Sequence, residues 1–446
     1  MLETILITLI AAAAVLAPCL LALRDAEPPL PRRRTLPFGD AALHAGRASE
    51  GEIRTRLYGD AAPARPAAGE PGPARLRIAM LAPPWIPVPP PGYGGIEAVL
   101  DLLCAALVRR GHEVTLFAAP GSRSPATVIT PLAAAHPDQI ERSLHEADHV
   151  ARAFELIEAG VPGERPYDVI HDHCGFTAVA MADRIAVPVV HTLHGPLDEP
   201  DVHSFYRHHG PKVAAVAISA AQARSAPDTL RVEAVVPNPI DVAAWPFVAG
   251  KDDYLLWVGR MTPGKGAHRA IEVARRAGRR LVLAGPIQPG QEEFFRKEVE
   301  PRLRAPGISY IGEVGGERKR KLFAGARALL MPIRWPEPFG MVMVEALACG
   351  TPVIAFPEGA APEIVEHGVT GFLVADEREM AAAVSRLDLI DPRRCREAAE
   401  ERFDADRVAA AYERIYRRVA RPGAEPAPAR PAQPRHPSVP ALRASA

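Results

Sequence analysis

Short apolar runs alternate with amphipathic helical segments along most of this chain, and this alternation limits the fold more than any other feature. From Leu76 the runs LRIAMLA, EVTLFAA, YDVIHDH, VPVVHTLHG and VAAVAIS have the length of buried strands. Helical patterns separate several of them, and the clearest is GGIEAVLDLLCAALVRRGH, which ends in a glycine stop. Strands alternating with helices form parallel sheets with helices on both faces, so the sequence predicts an α/β fold.

The same alternation restarts near Tyr254 and predicts a second domain. The runs YLLWVGR, RLVLAG, ISYIGEV, ALLMPI and TPVIAF read as strands, and GAHRAIEVARRAG reads as a helix. Between the two series, residues 236–252 contain prolines and polar residues that suit a hinge. We therefore expect two Rossmann-like domains, 75–245 and 246–420, whose parallel sheets face a cleft. Ligands of such sheets bind beyond the carboxyl ends of the strands.

The two ends of the chain differ from these domains. Residues 4–23 form an apolar run of about 20 residues, which is long enough to span a bilayer. Basic residues follow this run, so the segment 1–25 is either an anchor that leaves the rest cytoplasmic, an alanine-rich helix that does not insert, or an upstream extension of the true start. The composition of 26–74 predicts a disordered linker, and that of 421–446 a disordered Pro/Ala-rich tail.

Charge and cysteine content exclude some functions. The formal net charge is zero, which gives no general attraction to nucleic acid or anionic lipid. The five cysteines are scattered, odd in number and without a CxxC pair, so free thiols in a reducing compartment are expected rather than a disulfide framework or a zinc site. We therefore expect a cytoplasmic protein, attached to the cytoplasmic face of the membrane if the first segment inserts.

Two cations follow the first strand of the second series. In WVGRMTPGKG, Arg260 comes directly after the strand and Lys265 lies in a glycine-bearing loop before a helix. Both can reach the space above the sheet, where a diphosphate would need two positive charges. The alternative is a pair of solvated loop cations, which is the commoner fate of Arg and Lys.

The stretch WPEPFGMVMVEALACG holds two acids in apolar surroundings. Glu337 precedes a Pro-Phe-Gly turn, and the following helix is expected to begin near Phe339 or Gly340, after a strand that runs to about Trp335. The first helical N–H groups favour a phosphate, and glycine allows a close approach of the backbone. Glu345 lies inside this helix among apolar neighbours, which predicts a buried carboxylate that needs partners such as sugar hydroxyls. A helix-start acid and a polar-face residue are the simpler interpretations of the two.

Glycines and histidines mark the strand ends of the first series. Gly92, Gly94 and Gly95 lie where a Pro-rich loop turns into a helix, too late and too few for a dinucleotide fingerprint, which argues against NAD. His194 follows a strand directly and should face the cleft. Its neighbours His171, His173 and His191 fit no zinc spacing, and His171 and His191 suit strand packing or hydrogen bonding.

The order of these segments resembles a family of enzymes. GGIEAVLDLL, HTLHG, VPNPID, WVGRMTPGKG, EPFGMVMVEALACGTPVIA and PEIVEHGVTGFLV are similar to the family 4 glycosyltransferases of the GT-B fold, especially bacterial members of the glycosyl transferases group 1. The resemblance covers roughly residues 76–420, and its most specific element is the pair Glu337 and Glu345 with Pro-Phe-Gly after the first. It also implies a last helix, about 402–420, that crosses back to the first domain.

This resemblance implies retaining transfer of a hexose from a nucleotide-sugar donor to an unknown acceptor (a small molecule, a glycan or a lipid) without a metal ion or other cofactor. UDP-hexose is favoured over GDP-mannose. The implied catalytic residues are Glu337, His194, Arg260 and Lys265. The implied donor-binding residues are Gly94, Gly95, Arg260, Lys265, Val314, Glu337, Phe339, Gly340, Met341 and Glu345. Glu358 and Ala360 depart from the residues that many relatives carry, which could alter donor contacts.

Two other functions remain open on the sequence. A nucleotide-sugar epimerase of the same fold would share Arg260 and Lys265, but the EPFG segment with its second acid argues against it. A non-catalytic nucleotide-sugar-binding or scaffold protein would not need all four of Arg260, Lys265, Glu337 and Glu345.

Overall fold

The structure is a computed structural model, which describes residues 75–420 apart from 93, 141–142 and 161–162. The expected anchor, linker and tail lie outside these residues. Within the described residues, no helix is both long enough and apolar enough to cross a bilayer. The described part contains two parallel α/β sheets, which confirms the predicted fold class.

The first sheet has seven strands in the described part of the chain, in the order β3-β2-β1-β4-β5-β6-β7. The strands are β1 Arg77–Leu81, β2 Glu113–Phe117, β3 Thr127–Ile129, β4 Val169–Asp172, β5 Val189–Leu193, β6 Ala214–Ala217 and β7 Val232–Val235. The helices are α1 Gly95–Arg109, α2 Ser143–Ala159, α3 Phe176–Met181, α4 Pro200–His209 and α5 Ala220–Arg224. All neighbouring strands of this sheet are paired in parallel, as buried apolar runs joined by helical crossovers require.

The second sheet has six strands in the described residues, in the order β10-β9-β8-β11-β12-β13. The strands are β8 Tyr254–Val258, β9 Arg280–Ala284, β10 Ile308–Tyr310, β11 Ala328–Met331, β12 Val353–Ala355 and β13 Gly371–Leu373. The helices are α6 Ala267–Ala277, α7 Glu292–Phe294, α8 Gly316–Gly325, α9 Met341–Ala348, α10 Ala361–Ile364, α11 Glu377–Val384, α12 Pro392–Phe403 and α13 Ala405–Val419.

The last helix does not pack on the sheet that precedes it. Val408, Tyr412 and Tyr416 of α13 belong to the apolar core that α1 and one face of the first sheet share. The chain thus returns to the first half, as the resemblance implied. At the crossing, the backbone N–H of Ile240 donates to the carbonyl oxygen of Phe403 at 2.8 Å, so the outgoing and returning segments lie side by side.

Two element boundaries in the WPEPFG region differ from the prediction. Strand β11 ends at Met331 rather than near Trp335, because Pro332 has no N–H to continue the ladder. Helix α9 begins at Met341, one residue after the expected start, and Gly340 caps it with a φ of 91°. A left-handed residue outside the helix is well suited to glycine, so Gly340 sets where the first free N–H groups of α9 lie.

Candidate active site

Glu337 is fixed in the loop between β11 and α9 by two side chains, those of Lys265 and Trp335. It is 8 % exposed, and its Oε2 atom accepts a hydrogen bond from Lys265 Nζ and one of 3.0 Å from Trp335 Nε1. The Lys265 ammonium also lies 4.7 Å from the centroid of the Trp335 ring. A buried carboxylate is therefore balanced by a cation that is itself held over an aromatic face. The structure brings Lys265 and Glu337 together.

The turn that follows β12 supports Glu337 from behind. The N–H of Ala360 donates to the Glu337 carbonyl oxygen at 3.0 Å. Gly359 has a φ of 55°, and a Cβ atom there would overlap the Glu337 backbone. Glu358, one of the departures from the family pattern, pairs instead with Arg334 at 3.4 Å. Because this turn touches the Glu337 backbone, it positions the carboxylate without needing a basic side chain of its own.

Arg260 has a different environment from Lys265. It is half-buried, and its side chain has no hydrogen-bond or ion-pair partner within the described ranges. The N–H groups of Phe339, Gly340 and Met341 likewise meet no acceptor among the described residues. These groups are donors without acceptors, which is what a diphosphate requires. The Phe339 side chain is only 4 % exposed and packs against Phe403, so any ligand contact by Phe339 is through its backbone.

Glu345 is buried, as its apolar neighbours predicted, with 7 % of its surface exposed. Its Oε1 atom accepts a hydrogen bond of 2.6 Å from Lys319 Nζ on helix α8. Its Oε2 atom is buried and has no partner in the described part of the chain. Leaving a buried carboxylate oxygen without a donor costs free energy, so this atom is where a ligand hydroxyl would be most stabilising.

The glycine loop of the first half reaches the second half close to Val314. Helix α1 begins at Gly95, after Gly94. A Cβ atom at Gly92 would lie 3.7 Å from Glu313 Oε1, in the segment that joins β10 to α8. Val314 itself is half-buried in that segment. The loop that carries Gly94 and Gly95 is therefore near the part of the second half that was expected to hold the base.

His194 is half-buried at the carboxyl end of β5, and its Nε2 atom lies 2.8 Å from Nδ1 of His173. Burial lowers the pKa of His194 to about 3, with a smaller contribution from nearby His191. Burial also holds the pKa of His171 and of His173 well below the ordinary range. These imidazoles are therefore neutral near pH 7. His171 and His191 are buried and hydrogen-bonded, as predicted.

Sequence reasoning missed three residues that the structure places at this site or across the two halves. Lys319 lies in the charged run GERKRK, which reads as a solvated helix face, yet it pairs with Glu345. Trp335 was taken as the end of a strand, yet it contacts both Lys265 and Glu337. Glu363 accepts hydrogen bonds of 2.7 and 2.6 Å from the N–H groups of Ala220 and Ala221 in the first half. Only the tryptophan gave a local signal, because it stands next to the EPFG turn.

Comparison with known families assigns each half of the chain separately. Residues 93–244 match the family described as Glycosyltransferase Family 4, and residues 245–402 match Glycosyl transferases group 1. Among related proteins, the glycogen synthase of Mycobacterium tuberculosis is 28 % identical over 415 residues, which cover 80 % of this chain and 98 % of that protein.

Two solved structures show the same architecture. AviGT4, a glycosyltransferase involved in avilamycin A biosynthesis, is 29 % identical with a TM-score of 0.59, and the match covers 77 % of this chain and 98 % of AviGT4. HepE of Anabaena, solved in complex with UDP-glucose, is 22 % identical with a TM-score of 0.56, and the match covers 76 % of this chain and 99 % of HepE. The latter likeness concerns the fold, which is the GT-B arrangement of two parallel α/β domains.

Proposed function

Since its two halves match Glycosyltransferase Family 4 and Glycosyl transferases group 1, this chain belongs to that family of glycosyltransferases, and we propose that it transfers a hexose from UDP-hexose, with retention of configuration and without a metal ion. The observation that carries the proposal is the unpartnered, buried Oε2 atom of Glu345. A carboxylate in this position is stabilised when a ligand supplies a hydroxyl donor. The ribose of a nucleotide donor is the ligand part that we assign to it.

The diphosphate would lie between the two acids. Arg260 offers a guanidinium without a protein partner in the described residues, and Lys265 offers an ammonium that now pairs with Glu337. The free N–H groups at the start of α9 add further donors, and the helix dipole favours negative charge there. Two cations and a helix start can neutralise a diphosphate, so the proposal needs no metal ion.

Glu337 would accept hydrogen bonds from hydroxyls of the donor sugar while it keeps Lys265 in place. Lys265 would then be shared between the carboxylate and the phosphate, because an ammonium has three donors. Charge develops on the leaving diphosphate as the bond to the sugar breaks, and fixed donors that face this charge stabilise the transition state. We assign the acceptor proton to the leaving phosphate, in keeping with attack on the same face of the sugar.

The choice of UDP-hexose draws support from a structural relative rather than from a residue of this chain. HepE was solved with UDP-glucose, and its fold is shared by this chain. His194 would lie beside the reacting sugar, and Val314 beside the base. The acceptor is left open, because the described contacts concern the donor side.

A thermal-shift panel on the full chain tests this proposal. We would add UDP, GDP, ADP and their common sugars in the presence of EDTA, and a ligand at a hundredfold its dissociation constant stabilises by about 2.7 kcal/mol. A shift with UDP and UDP-hexose that is lost in Arg260→Ala and Glu345→Ala supports the site. Arg276→Ala, which removes an exposed arginine paired with Glu272 on α6, is the matched control and should keep the shift.

Two outcomes would contradict the proposal. If a sample that unfolds cooperatively shows no thermal shift with any nucleotide, the donor site that we propose does not exist. A thermal shift that appears only when a divalent cation replaces EDTA would contradict the proposal that transfer needs no metal ion. Release of UDP and hexose from UDP-hexose by the wild-type chain would then separate an enzyme from a binding protein, and recovery of an altered sugar nucleotide would indicate an epimerase.

A further inference from the structure

A chain of hydrogen bonds runs from His194 into the interior of the first half. His194 Nε2 lies 2.8 Å from His173 Nδ1, and His173 Nε2 lies 3.3 Å from His171 Nδ1. The hydroxyl of Tyr416 lies 2.7 Å from the same His171 Nδ1 atom. His173, His171 and Tyr416 are each at most 1 % exposed, so the path is buried from His173 inwards.

The inner end of the path belongs to the last helix. Tyr416 and Tyr412 both lie on α13, which returns from the second half. His171 Nε2 lies 2.8 Å from Thr192 Oγ1, and that oxygen lies 2.8 Å from the hydroxyl of Tyr412. His171 is therefore held from both ring nitrogens by groups that α13 completes. His171 and Tyr416 are 245 positions apart in the sequence, which makes this the longest-range contact of the path.

The protonation states along the path depend on one another. Burial lowers the pKa of all three imidazoles, so each is neutral and has one donor nitrogen and one acceptor nitrogen. Tyr416 is fully buried and has no other hydrogen-bond partner in the described residues, so its proton goes to His171 Nδ1.

The tautomer of each ring then follows. With His171 Nδ1 as the acceptor, His171 Nε2 donates to Thr192. Tyr416 and His173 share the single lone pair of His171 Nδ1, at 2.7 and 3.3 Å, and the longer contact is the weaker one. A proton on His173 Nε2 avoids two lone pairs facing each other, so His173 Nδ1 is an acceptor, and His194 Nε2 donates to it. His194 Nδ1 is left with its lone pair, and this atom has no partner within the described ranges.

We propose that Tyr416 is a positioning residue, which fixes His194 as the tautomer whose Nδ1 atom accepts a hydrogen bond from a hydroxyl in the cleft. This inference rests on the proposed function, in which His194 lies beside the reacting sugar. A sugar hydroxyl is the ligand class that an uncharged acceptor of this kind fits, because a cationic imidazole would only donate. The last helix thereby contributes to the chemistry of a site that it does not itself enter.

A second histidine–tyrosine pair in the same half provides a matched control. Tyr206 is buried, and its hydroxyl lies 2.9 Å from His191 Nε2. His191 Nδ1 donates to Asp172 at 2.6 Å, and no hydrogen bond of the described residues joins this pair to His194. Tyr206→Phe therefore removes the same hydroxyl from the same kind of partner, without touching the path to the cleft.

The experiment compares Tyr416→Phe with Tyr206→Phe in the full chain, well below the melting temperature of either. We expect Tyr416→Phe to lower kcat for donor turnover about tenfold and to change the KM for UDP-hexose less than about twofold, since the lost effect acts on one hydrogen bond near the reacting sugar. We expect Tyr206→Phe to keep kcat within about twofold of wild type, although its stability falls comparably.

Nitrogen NMR of 15N-histidine-labelled protein reads the tautomer directly. The shift of His194 Nδ1 should be that of an unprotonated ring nitrogen in the wild type and in Tyr206→Phe, and it should move towards the protonated form in Tyr416→Phe. A protonated Nδ1 in the wild type would overturn the inference, and so would equal losses of kcat in the two variants. Because this measurement needs no substrate, it stands even if UDP-hexose proves not to be the donor, while absent turnover by the wild type would contradict the proposed function alone.

Discussion

The two halves of this molecule differ in how their buried ionisable groups near the candidate site are balanced. In the second half, Lys265 pairs with Glu337 and Lys319 pairs with Glu345, so each buried carboxylate has a cation. In the first half, burial lowers the pKa of His194 to about 3 and raises that of Glu97, and both groups are driven towards their neutral forms. We call the two ion pairs of the second half the charged wall, and the neutral groups His194 and Glu97 of the first half the uncharged wall. The charged wall suits a diphosphate, and the uncharged wall suits sugar hydroxyls.

Removing a cation from the charged wall should have the largest effect. In Lys265→Met, Glu337 keeps its burial but loses its countercharge, and the donor diphosphate loses an ammonium. We expect kcat/KM for the donor to fall by roughly 10²–10³, which corresponds to about 3–4 kcal/mol. Steady-state kinetics of UDP release measures this loss.

Lys297→Met is the control for that substitution, because Lys297 is exposed and its one ion pair among the described residues is with Glu293 on a helical surface. It should leave kcat/KM unchanged. If Lys265→Met lowers kcat/KM less than about tenfold, the pair with Glu337 stabilises the fold rather than the transition state. The role assigned to the charged wall would then be wrong.

The next largest effect should come from acid, which should destabilise the first half more than the second. Burial lowers the pKa of His149 from 6.5 to about 4 and that of His194 from 6.5 to about 3, and it holds those of His171 and His173 well below 6.5. A histidine whose pKa is lowered by folding contributes its full stability above pH 6.5 and loses it as the pH falls towards the folded value. Each such group costs about 1.4 kcal/mol per pH unit in this window.

These four histidines lie in the first half. Among the histidines in the described residues of the second half, only His268 has a pKa that burial lowers, to about 4. We therefore expect the first half to open first between pH 6.5 and pH 4.5. Hydrogen exchange followed by mass spectrometry, corrected for the intrinsic effect of pH on exchange, gives the opening free energy of each half. Equal losses in both halves would contradict the neutral character assigned to the first.

A third test sharpens the comparison at Glu345. If its free Oε2 atom accepts a ribose hydroxyl, Glu345→Gln should weaken UDP binding about tenfold, and the preference for UDP over 2′,3′-dideoxy-UDP should largely disappear. Lys319→Met should weaken UDP binding less, because it removes only the group that orients the carboxylate. Isothermal titration with the two nucleotides measures both effects. If Glu345→Gln keeps the preference for UDP over 2′,3′-dideoxy-UDP, a residue other than Glu345 binds the ribose.

The smallest effect is expected where the two halves meet. The Glu363 carboxylate accepts from the N–H groups of Ala220 and Ala221, so Glu363→Gln removes its charge and one of its two acceptor oxygens. Amide exchange at the start of α5 should speed up, while kcat/KM changes less than about threefold. Glu366→Gln should alter neither quantity, because Glu366 is exposed just after α10 and its side chain has no hydrogen bond or ion pair among the described residues. Unchanged exchange at α5 in Glu363→Gln would show that this contact does not hold the halves together.

Local patterns predicted the fold and part of the site. The apolar runs predicted ten of the thirteen described strands, because a buried parallel strand needs apolar residues on both faces. The three that were not predicted, β3, β7 and β13, are short strands at the edges of the sheets. The neighbours of Glu345 predicted its burial, since a solvated helix face would carry more charge. Trp335 was placed on a strand by the same reasoning, and there the prolines on either side mattered more than the apolar character.

Pairings between distant residues could not be predicted in this way. Lys319 and Glu345 are 26 residues apart on two helices, and His171 and Tyr416 are 245 residues apart. Such contacts depend on how whole helices and strands pack. A lysine in a charged run or a tyrosine in an amphipathic helix has no local sequence feature that indicates its partner. The clustering of the histidines is visible in the sequence, but their hydrogen bonds to the last helix are not.

The return of α13 to the first half has a consequence for the order in which the chain can fold. The core of the second half extends to Phe403, whereas the core of the first half includes Val408, Tyr412 and Tyr416. During synthesis, the first half leaves the ribosome early but keeps an apolar face uncovered until residues 405–419 have also emerged. The part that is made first is therefore finished last, and a chain truncated after residue 404 should be cleaved by protease in its first half while its second half resists.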